Sequence, residues 1–474
     1  MSTRKIVSNT IYYGVVPKLT LLVSVLILPL TTPYLSTFDY GIQGIVTSYT
    51  SLIAMLAPLG LNMHLTNSYY EYPKKYQLIW GRILFSFLVS GALFGVINFL
   101  ILATVLPFVF SWELVLICFI GSFQVLLFAN ALLAQHLFPL VERPKPLVFG
   151  NLLASCVGIF VSFVLIYFFR QGYWGLISSM AVSSVVSFLI FIKYVWVDYK
   201  IYPIIERNWK RLSGMLKVAL PLVPHSLGFV LLTSSARIVM TWHNVPYGDI
   251  GLFSHGCSMG EYILVIPTAL TTAIVPQMQT AYRMNDFLRY RKLYYLCQSV
   301  ALLSSAMICI WMGDIYSILI RNEQLSQSSE IAMLMCFANV VYPFYCFMST
   351  PVFILKNTKQ LLWLVFLPGF LNIILCCILI PIWGFKIAIF STMISYWSQL
   401  LIPIFVKYYA KIVGDWLGRL SKLFSILLIL VIVVIFSNYI GHLSVPYKIG
   451  GSFFFGSCFM IYYYNNNLKT AYSS

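Results

Sequence analysis

Long apolar runs separated by short polar stretches follow one another along the whole chain. A helix needs roughly 20 apolar residues to cross a bilayer, because the segment must satisfy its own backbone hydrogen bonds. By this length the pattern predicts about fourteen spans. They are expected near residues 9–32, 42–62, 79–106, 112–136, 147–169, 174–197, 214–242, 250–276, 293–313, 328–354, 360–382, 385–407, 422–440 and 446–464. The runs do not alternate between apolar and polar positions, so the pattern does not favour a membrane β-barrel.

The composition agrees with a chain that lies mostly in lipid. Hydrophobic residues make up 60% of the 474 positions and charged residues only 9%, and the mean hydropathy is +0.87. A soluble protein needs roughly a quarter of its residues charged to cover its surface. The predicted fold class is therefore an all-α polytopic membrane protein.

Positively charged residues fall mainly on one side of this map. Of the 30 Lys and Arg residues, all but six map to the side of the N-terminus. The exceptions are Arg170, Arg321, Lys386 and Lys448 on the opposite side, and Lys18 and Arg237 within spans. Because cytoplasmic loops are enriched in Lys and Arg, both termini are predicted to be cytoplasmic. The formal net charge of +17 then reflects orientation in the membrane, and no nucleic-acid partner is expected.

Neither the cysteines nor the N-terminus changes this interpretation. The ten cysteines lie within apolar runs without metal-like spacing, which is typical of buried free thiols. Arg4 and Lys5 precede an apolar run, as in a signal peptide, but Lys18 interrupts the run and no small-residue cleavage site follows. The first span is therefore predicted to be retained.

Two short motifs recur at nearly the same offset. Asp39-x-Gly41 and Asp249-x-Gly251 are 210 positions apart. Trp174-Gly175 and Trp383-Gly384 are 209 positions apart, and each of these two lies at the outer turn before the last span of its copy. With six spans in each copy, the second copy enters the membrane in the same orientation as the first, which predicts a parallel repeat.

The repeat predicts four parts of the chain: an N-terminal six-helix lobe (1–198), a cytoplasmic linker (199–213), a C-terminal six-helix lobe (214–410) and two additional helices (411–474).

Three charged residues lie within predicted spans: Lys18, Arg237 and Glu261. Each costs about 2.5–3.5 kcal/mol on insertion scales and is a functional candidate by default. Arg237 and Glu261 lie at similar depth on successive spans, so they are expected either to form a structural ion pair or to act in function. Lys18 has no acidic residue in its own span, which favours a position facing a water-filled cavity.

Cations in a cavity indicate an anionic cargo, since Lys and Arg both bind phosphate. Glu261 beside them is a candidate for coupling to Na⁺ or H⁺. The sequence contains no catalytic constellation, Walker loop or metal-ligand spacing, so no enzymatic activity, cofactor or metal is expected.

Several motifs resemble the polysaccharide-transport, O-antigen flippase (Wzx-type) proteins. The resemblance covers most of residues 5–410 and is built from small motifs in the family's order. They are Tyr34-Leu-Ser-Thr-Phe-Asp-Tyr-Gly41 at the first outer loop, Leu220-Pro-Leu-Val-Pro224 with the Arg237 region, Ile250-Gly-Leu-Phe253 running to Ile274-Val-Pro276, Lys356-Asn-Thr-Lys359, and Pro381-Ile-Trp-Gly-Phe385. These proteins belong to the multidrug/oligosaccharidyl-lipid/polysaccharide exporter superfamily.

The resemblance implies two six-helix lobes in a V around a cavity, in the bacterial inner membrane. It implies a flippase that moves undecaprenyl-diphosphate-linked oligosaccharide to the periplasmic leaflet by alternating access, with Lys18 and Arg237 facing the cargo. Expected partners are this glycan, the bilayer, and polysaccharide polymerase and chain-length machinery. The family often has an acidic residue where this chain has Arg237, which leaves the coupling ion open.

Two other functions remain open on the residues alone. A multidrug or cation antiporter of the same fold is the first, although cationic drugs favour acidic cavities and this interior carries more cations than anions. A polysaccharide polymerase or glycosyltransferase is the second, and the short outer loops argue against it because such enzymes usually have a large periplasmic loop.

Overall fold

The computed structural model describes residues 16–106, 111–206, 208–262, 265–355, 357, 360–409, 432, 435–436, 439–441 and 443–467. Within these ranges all regular secondary structure is helical. The helices in chain order are α1 (Val16–Thr31), α2 (Thr37–Leu56), α3 (Asn62–Glu71), α4 (Tyr76–Val105), α5 (Trp112–Leu140), α6 (Pro144–Phe163), α7 (Tyr173–Ile192), α8 (Trp209–Ala219), α9 (Val223–Trp242), α10 (Tyr247–Glu261), α11 (Val265–Arg283), α12 (Phe287–Ile310), α13 (Met312–Leu319), α14 (Glu323–Ser326), α15 (Ser329–Ala338), α16 (Tyr342–Ile354), α17 (Leu367–Trp383), α18 (Ile387–Ser398), α19 (Ile402–Phe405) and α20 (Val445–Asn467).

The all-α polytopic fold class is confirmed. In the described part of the chain, nine helical segments are long and apolar enough to cross a membrane. They coincide with the third to seventh and the ninth to twelfth predicted spans. The predicted span 446–464 is helical as α20, whereas most of 422–440 lies outside the described residues.

Several predicted spans are divided, and prolines lie beside the divisions. The spans predicted at 328–354 and 385–407 are interrupted by 3₁₀ turns at Asn339–Val341 and Gln399–Leu401, followed by Pro343 and Pro403. The span predicted at 214–242 is interrupted by a 3₁₀ turn at Leu220–Leu222, which separates α8 from α9. Pro221 and Pro224 lack the N–H that a continuous helix would use there. The span predicted at 250–276 is two helices, α10 and α11, with Pro267 near the start of the second.

The last residues of the predicted linker are helical and the linker packs on α4. Asn208 caps α8, its Oδ1 accepting a hydrogen bond of 3.3 Å from the backbone of Arg211. Glu206 Oε2 lies 3.2 Å from Arg82 Nη1 and 3.5 Å from Arg211 Nη1. The backbone N–H of Ile204 donates to the carbonyl oxygen of Gly81 at 2.9 Å. The linker is therefore anchored by both charge and backbone contacts.

Contacts divide the chain into two compact units, residues 1–251 and 252–474. The first unit reaches Gly251 because α9 packs along α2. The four-part division predicted from the repeat, with boundaries at 198, 213 and 410, concerns the repeat rather than these contacts and stays a prediction.

The first unit is built on helix pairs joined by short connections. Helix α4 packs on α5, α6 packs on α7, and α1 packs on α6. A buried cluster around Trp80, Phe138 and Phe191 fills one end of the unit. The indole of Trp80 donates to the carbonyl oxygen of Leu65 and to the hydroxyl of Ser68, both at 3.0 Å. A fully buried donor is thus satisfied, and α3 is held against α4.

In the second unit, two glycines let α10 approach α15 closely. A Cβ at Gly256 would lie 2.8 Å from the carbonyl oxygen of Ser328, and one at Gly260 would lie 2.7 Å from that of Ala332. Glycines four residues apart lie on the same helix face, and small residues at this spacing are typical of close helix packing in membranes.

The start of α20 is attached to the first turn of α13 and to Trp311, which lies between α12 and α13. Lys448 Nζ lies 2.5 Å from Asp314 Oδ2, and the indole of Trp311 donates to the hydroxyl of Ser452 at 3.1 Å. Helix α20 also packs along α12. The last described helix is therefore part of the second unit.

Candidate functional site

The motif Asp39-Tyr40-Gly41 lies in the first turn of α2 and not in the loop before it, where the sequence placed it. Ser36 is the N-cap: its hydroxyl accepts from the backbone N–H of Asp39 at 3.2 Å. In return Asp39 Oδ2 accepts from the backbone N–H of Ser36 at 2.6 Å and from its hydroxyl at 2.7 Å. This capping box explains why the helix begins at Thr37.

Asp39 also holds the N-terminus of a second helix. Its Oδ1 accepts a hydrogen bond of 2.8 Å from the backbone N–H of Tyr173, the first residue of α7. Gly172 precedes it with φ +49, and a Cβ there would lie 2.6 Å from the same oxygen. One carboxylate thus meets the positive ends of two helix dipoles. Only 8% of Asp39 is exposed, so its role in this structure is to join α2 to α7.

The two Asp-x-Gly copies meet at their glycines. Each Asp is the third residue of its helix, α2 or α10. A Cβ on Gly251 would lie 2.6 Å from the backbone nitrogen of Gly41 and 2.7 Å from the carbonyl carbon of Thr37. A Cβ on Gly41 would lie 2.9 Å from the carbonyl carbon of Tyr247. The two helix starts therefore touch backbone to backbone, which only glycine allows.

Aromatic side chains surround this junction. The ring of Phe38 contacts those of Tyr173 and Tyr247 edge-on, at centroid distances of 6.3 and 6.1 Å. The Tyr247 hydroxyl donates to the carbonyl oxygen of Val105 at 2.6 Å. Burial raises the pKa of the Tyr247 phenol, and the neighbouring Tyr49 adds to the effect. Tyr247 therefore acts as a neutral hydrogen-bond donor.

The other repeated motif, Trp-Gly, lies beside the turn before the predicted sixth span in both copies, a few residues apart in register. Trp174 and Gly175 lie in the first turn of α7, whereas Trp383 ends α17 and Gly384 follows it with φ +78. The Trp174 indole donates to Glu113 at 3.0 Å.

Arg237 is the buried cation of α9. Only 8% of it is exposed, and its Nη1 donates to the carbonyl oxygen of Thr233 at 3.3 Å. Thr241 lies one helical turn further on the same face, and its hydroxyl bonds the Tyr49 hydroxyl of α2 at 2.7 Å. Arg237 is thus on the face of α9 that packs on α2.

The other predicted site residues are placed only in part. Lys18 lies in α1, which packs on α6, but its side chain is outside the described part of the structure. Glu261 is the last residue of α10 and is half-buried. The predicted pairing of Glu261 with Arg237 would join the two units and stays a prediction.

The sequence interpretation missed a polar cavity of about 230 Å³ between α5, α6 and α7. Its walls carry two glutamines, one asparagine and four serines, along with a few apolar side chains. The signal was present in the sequence: Gln124 and Gln135 lie three helical turns apart, and Asn151 and Ser155 lie one turn apart. Polar residues at helical spacing within apolar runs mark one wet face.

The candidate site residues that the structure describes offer one buried cation, Arg237, and a cavity lined by neutral amides and hydroxyls. Among them no group of three or more His, Cys, Asp or Glu comes close enough to hold a metal ion. Anion binding and hydrogen bonding to neutral groups are the chemistry that these residues offer.

The sequence pattern of the polysaccharide biosynthesis protein family matches residues 6–281, which is more than half of the chain. The chain belongs to this family. The family resemblance noted from the sequence motifs is thereby confirmed. No curated protein matches the sequence.

Solved structures of this superfamily share the fold. The lipid II flippase MurJ in an inward closed conformation matches with a TM-score of 0.65 and 14% identity, over 96% of this chain and 98% of that one. An inward-facing multidrug resistance MATE family transporter of the MOP superfamily matches with a TM-score of 0.56 and 14% identity, over 85% and 96%. A MOP superfamily transporter from Pyrococcus furiosus matches with 0.55 and 15%, over 87% and 96%. The family member described here therefore has the fold of the MOP-superfamily transporters and flippases.

Proposed function

We propose that this protein is a flippase for undecaprenyl-diphosphate-linked oligosaccharide. It moves the lipid-linked unit from the cytoplasmic to the periplasmic leaflet by alternating access of its two lobes, without changing the cargo chemically. Family membership and the fold shared with a lipid II flippase support this proposal. The observation that carries it is the buried guanidinium of Arg237 inside a membrane helix.

The chemistry of Arg237 suits a diphosphate. A buried charge within a span is costly and persists where it has a functional or structural partner. The planar guanidinium can donate two parallel hydrogen bonds to a phosphate, which a Lys ammonium cannot. In this proposal Arg237 binds the diphosphate, Lys18 adds a second positive charge, and Glu261 either couples an ion or positions Arg237.

The proposed location and partners follow from the predicted orientation of the chain in the membrane. The protein lies in the bacterial inner membrane with both termini in the cytoplasm, as the excess of Lys and Arg on that side indicates. Polysaccharide polymerase and chain-length machinery take up the delivered unit on the outer side.

The test is complementation of a deletion strain with Arg237→Ala and Arg237→Lys. Hydrogen bonds to charged groups contribute about 1.5–3 kcal/mol, so Arg237→Ala should reduce surface polysaccharide at least tenfold, with lipid-linked units accumulating on the cytoplasmic side. Arg237→Lys should retain part of the activity. Lys210→Ala, which removes an exposed cation of α8, is the matched control.

Normal polysaccharide in the Arg237→Ala strain, at normal protein abundance, would remove Arg237 from the mechanism. The same assay with Lys18→Ala tests the second cation. Protein abundance is measured on membranes from each strain, so that loss of folding is distinguished from loss of transport.

A multidrug antiporter is the second candidate, because a MATE family transporter shares the fold. The cationic interior disfavours it, since cationic drugs bind acidic cavities. Drug hypersensitivity of the deletion strain, with surface polysaccharide intact, would reverse this ranking. A glycosyltransferase or polymerase activity is disfavoured by the short outer loops.

A further inference from the structure

We propose that the cavity between α5, α6 and α7 is a subsite for one uncharged sugar ring of the cargo. This rests on the proposed flippase function and adds to it a second recognition element, separate from Arg237. The cavity lies wholly within the first unit, and every residue that lines it is described.

The cavity extends from the middle of the membrane toward the end of α5. Helix α5 begins at Trp112, so Gln124 lies about 18 Å along it at roughly 1.5 Å per residue. A hydrocarbon core is about 30 Å thick, which places Gln124 well inside it. Amide and hydroxyl groups at this depth are costly when they face lipid. A wet cavity facing away from lipid explains why three helices place such groups together.

One polar group beside the cavity has no hydrogen-bond partner within the described part of the protein. Gln124 Nε2 is buried and has no hydrogen-bond partner in the described part of the chain. By contrast, the hydroxyl of Ser184 donates to the carbonyl oxygen of Met180 on its own helix at 2.8 Å. Buried donors of this kind are normally satisfied by water or a ligand. The Gln124 amide therefore keeps a donor that no group of the described protein satisfies.

The lining selects the chemical class of ligand. No charged residue lines the cavity, so neither a phosphate nor a cationic drug would find a counter-charge. Amides and hydroxyls each donate and accept, which matches sugar hydroxyls, while Phe128 and Leu127 offer an apolar wall for the carbon face of a ring. The volume of about 230 Å³ is below the roughly 300 Å³ at which drug-sized pockets begin.

The position of the cavity suits a cargo that has a diphosphate and a sugar part. Helix α6, which carries Asn151 and Ser155, packs on α1, which carries Lys18. A diphosphate held near the predicted cations would thus have its first sugars within the same unit. The serines and amides would then determine which sugar follows the phosphate.

The experiment compares two probes on the purified protein in nanodiscs. One is undecaprenyl diphosphate without sugar, and the other is the lipid-linked glycan fraction purified from the host membranes. The wild-type protein should bind the glycan-bearing probe more tightly. The Gln124→Leu/Asn151→Leu variant should lose roughly tenfold of its affinity for the glycan-bearing probe and none of its affinity for undecaprenyl diphosphate.

Controls separate the subsite from folding and from the flippase proposal. Val185→Leu, at an exposed position of α7 outside the cavity lining, should bind both probes as the wild type does. Ser183→Ala/Ser187→Ala keeps the fold with smaller changes and should show the same selective loss to a lesser degree. Arg237→Ala should weaken both probes.

Each other outcome overturns a specific claim. If the wild type binds neither probe, the flippase proposal fails and the subsite with it. If both probes bind equally, or if the two polar variants keep the preference for glycan, the cavity does not hold sugar. Binding of ethidium that the polar variants abolish would instead assign the cavity to a drug.

Discussion

Replacing Gly251 with Ala tests the contact between the starts of α2 and α10. The added methyl would lie 2.6 Å from the backbone nitrogen of Gly41 and 2.7 Å from the carbonyl carbon of Thr37. Ordinary contacts of a Cβ lie at 3.4–4 Å. Because all these neighbouring atoms belong to backbone, no side-chain rotation relieves the clash. The helices themselves must move apart.

The required displacement sets the magnitude. Restoring ordinary contact needs a separation of roughly 2 Å, because the methyl would overlap the carbonyl oxygen of Thr37 most closely. A shift of this size would loosen the edge contact of Phe38 with Tyr247 as well. Overpacking of this kind typically costs about 1–3 kcal/mol, and the higher helix propensity of Ala returns at most about 1 kcal/mol. We expect Gly251→Ala to lower the free energy of unfolding by about 2 kcal/mol.

Combining two substitutions makes the test specific. Gly41→Ala should destabilise similarly, since its Cβ would lie 2.9 Å from the carbonyl carbon of Tyr247. The double variant should lose less than the sum, because the first methyl has already separated the helices. Gly214→Ala is the control: no described atom lies within 4 Å of its Cβ, so stability should be unchanged or slightly raised.

The assay is thermal unfolding of each purified variant in one detergent at one heating rate, because apparent Tm values of membrane proteins depend on the rate. Gly251→Ala should melt several degrees below the wild type. A wild-type melting curve for Gly251→Ala, or fully additive losses in the double variant, would refute the backbone contact.

Three further predictions concern single contacts and use the same thermal assay. Asp39→Asn keeps the shape of the side chain but removes the charge that meets two helix N-termini. It should lower the free energy of unfolding by about 1–2 kcal/mol. Unchanged stability would contradict the bridging role of Asp39. Lys448→Met should lower the free energy of unfolding by about 1 kcal/mol, a modest value because its partner Asp314 is partly solvent-exposed. It should also speed protease cleavage near the start of α20. Equal cleavage of the variant and the wild type would argue against the Lys448–Asp314 contact holding α20 in place. Gly256→Leu should destabilise by about 2 kcal/mol or more, since its Cβ would already meet Ile331 of α15 and the carbonyl oxygen of Ser328 before it. A variant as stable as the wild type would exclude the close packing.

Much of the helical organisation could be predicted from the sequence, because a membrane helix satisfies its backbone within one segment. Length and hydropathy are then sufficient, as they were for α4 to α7. The same reasoning fails where polar residues or prolines interrupt a span. The span predicted at 42–62 corresponds to α2 at Thr37–Leu56, whose bounds differ from the prediction by several residues. Helix α2 carries several Thr, Ser and Gly residues and is not among the nine helices that qualify by length and hydropathy.

The sequence also indicated that Asp39-x-Gly41 and Asp249-x-Gly251 are equivalent, since a repeat is visible as spacing alone. Their contact was not predictable, because residues 41 and 251 are brought together by the packing of whole helices. The same holds for the hydrogen bond that Asp39 accepts from Tyr173, because this donor is distant in sequence.

The sequence by itself determined which segments are helices and where charge enters the membrane. Only the tertiary structure decided which faces meet, because packing between helices depends on shape and on small residues that hydropathy does not register.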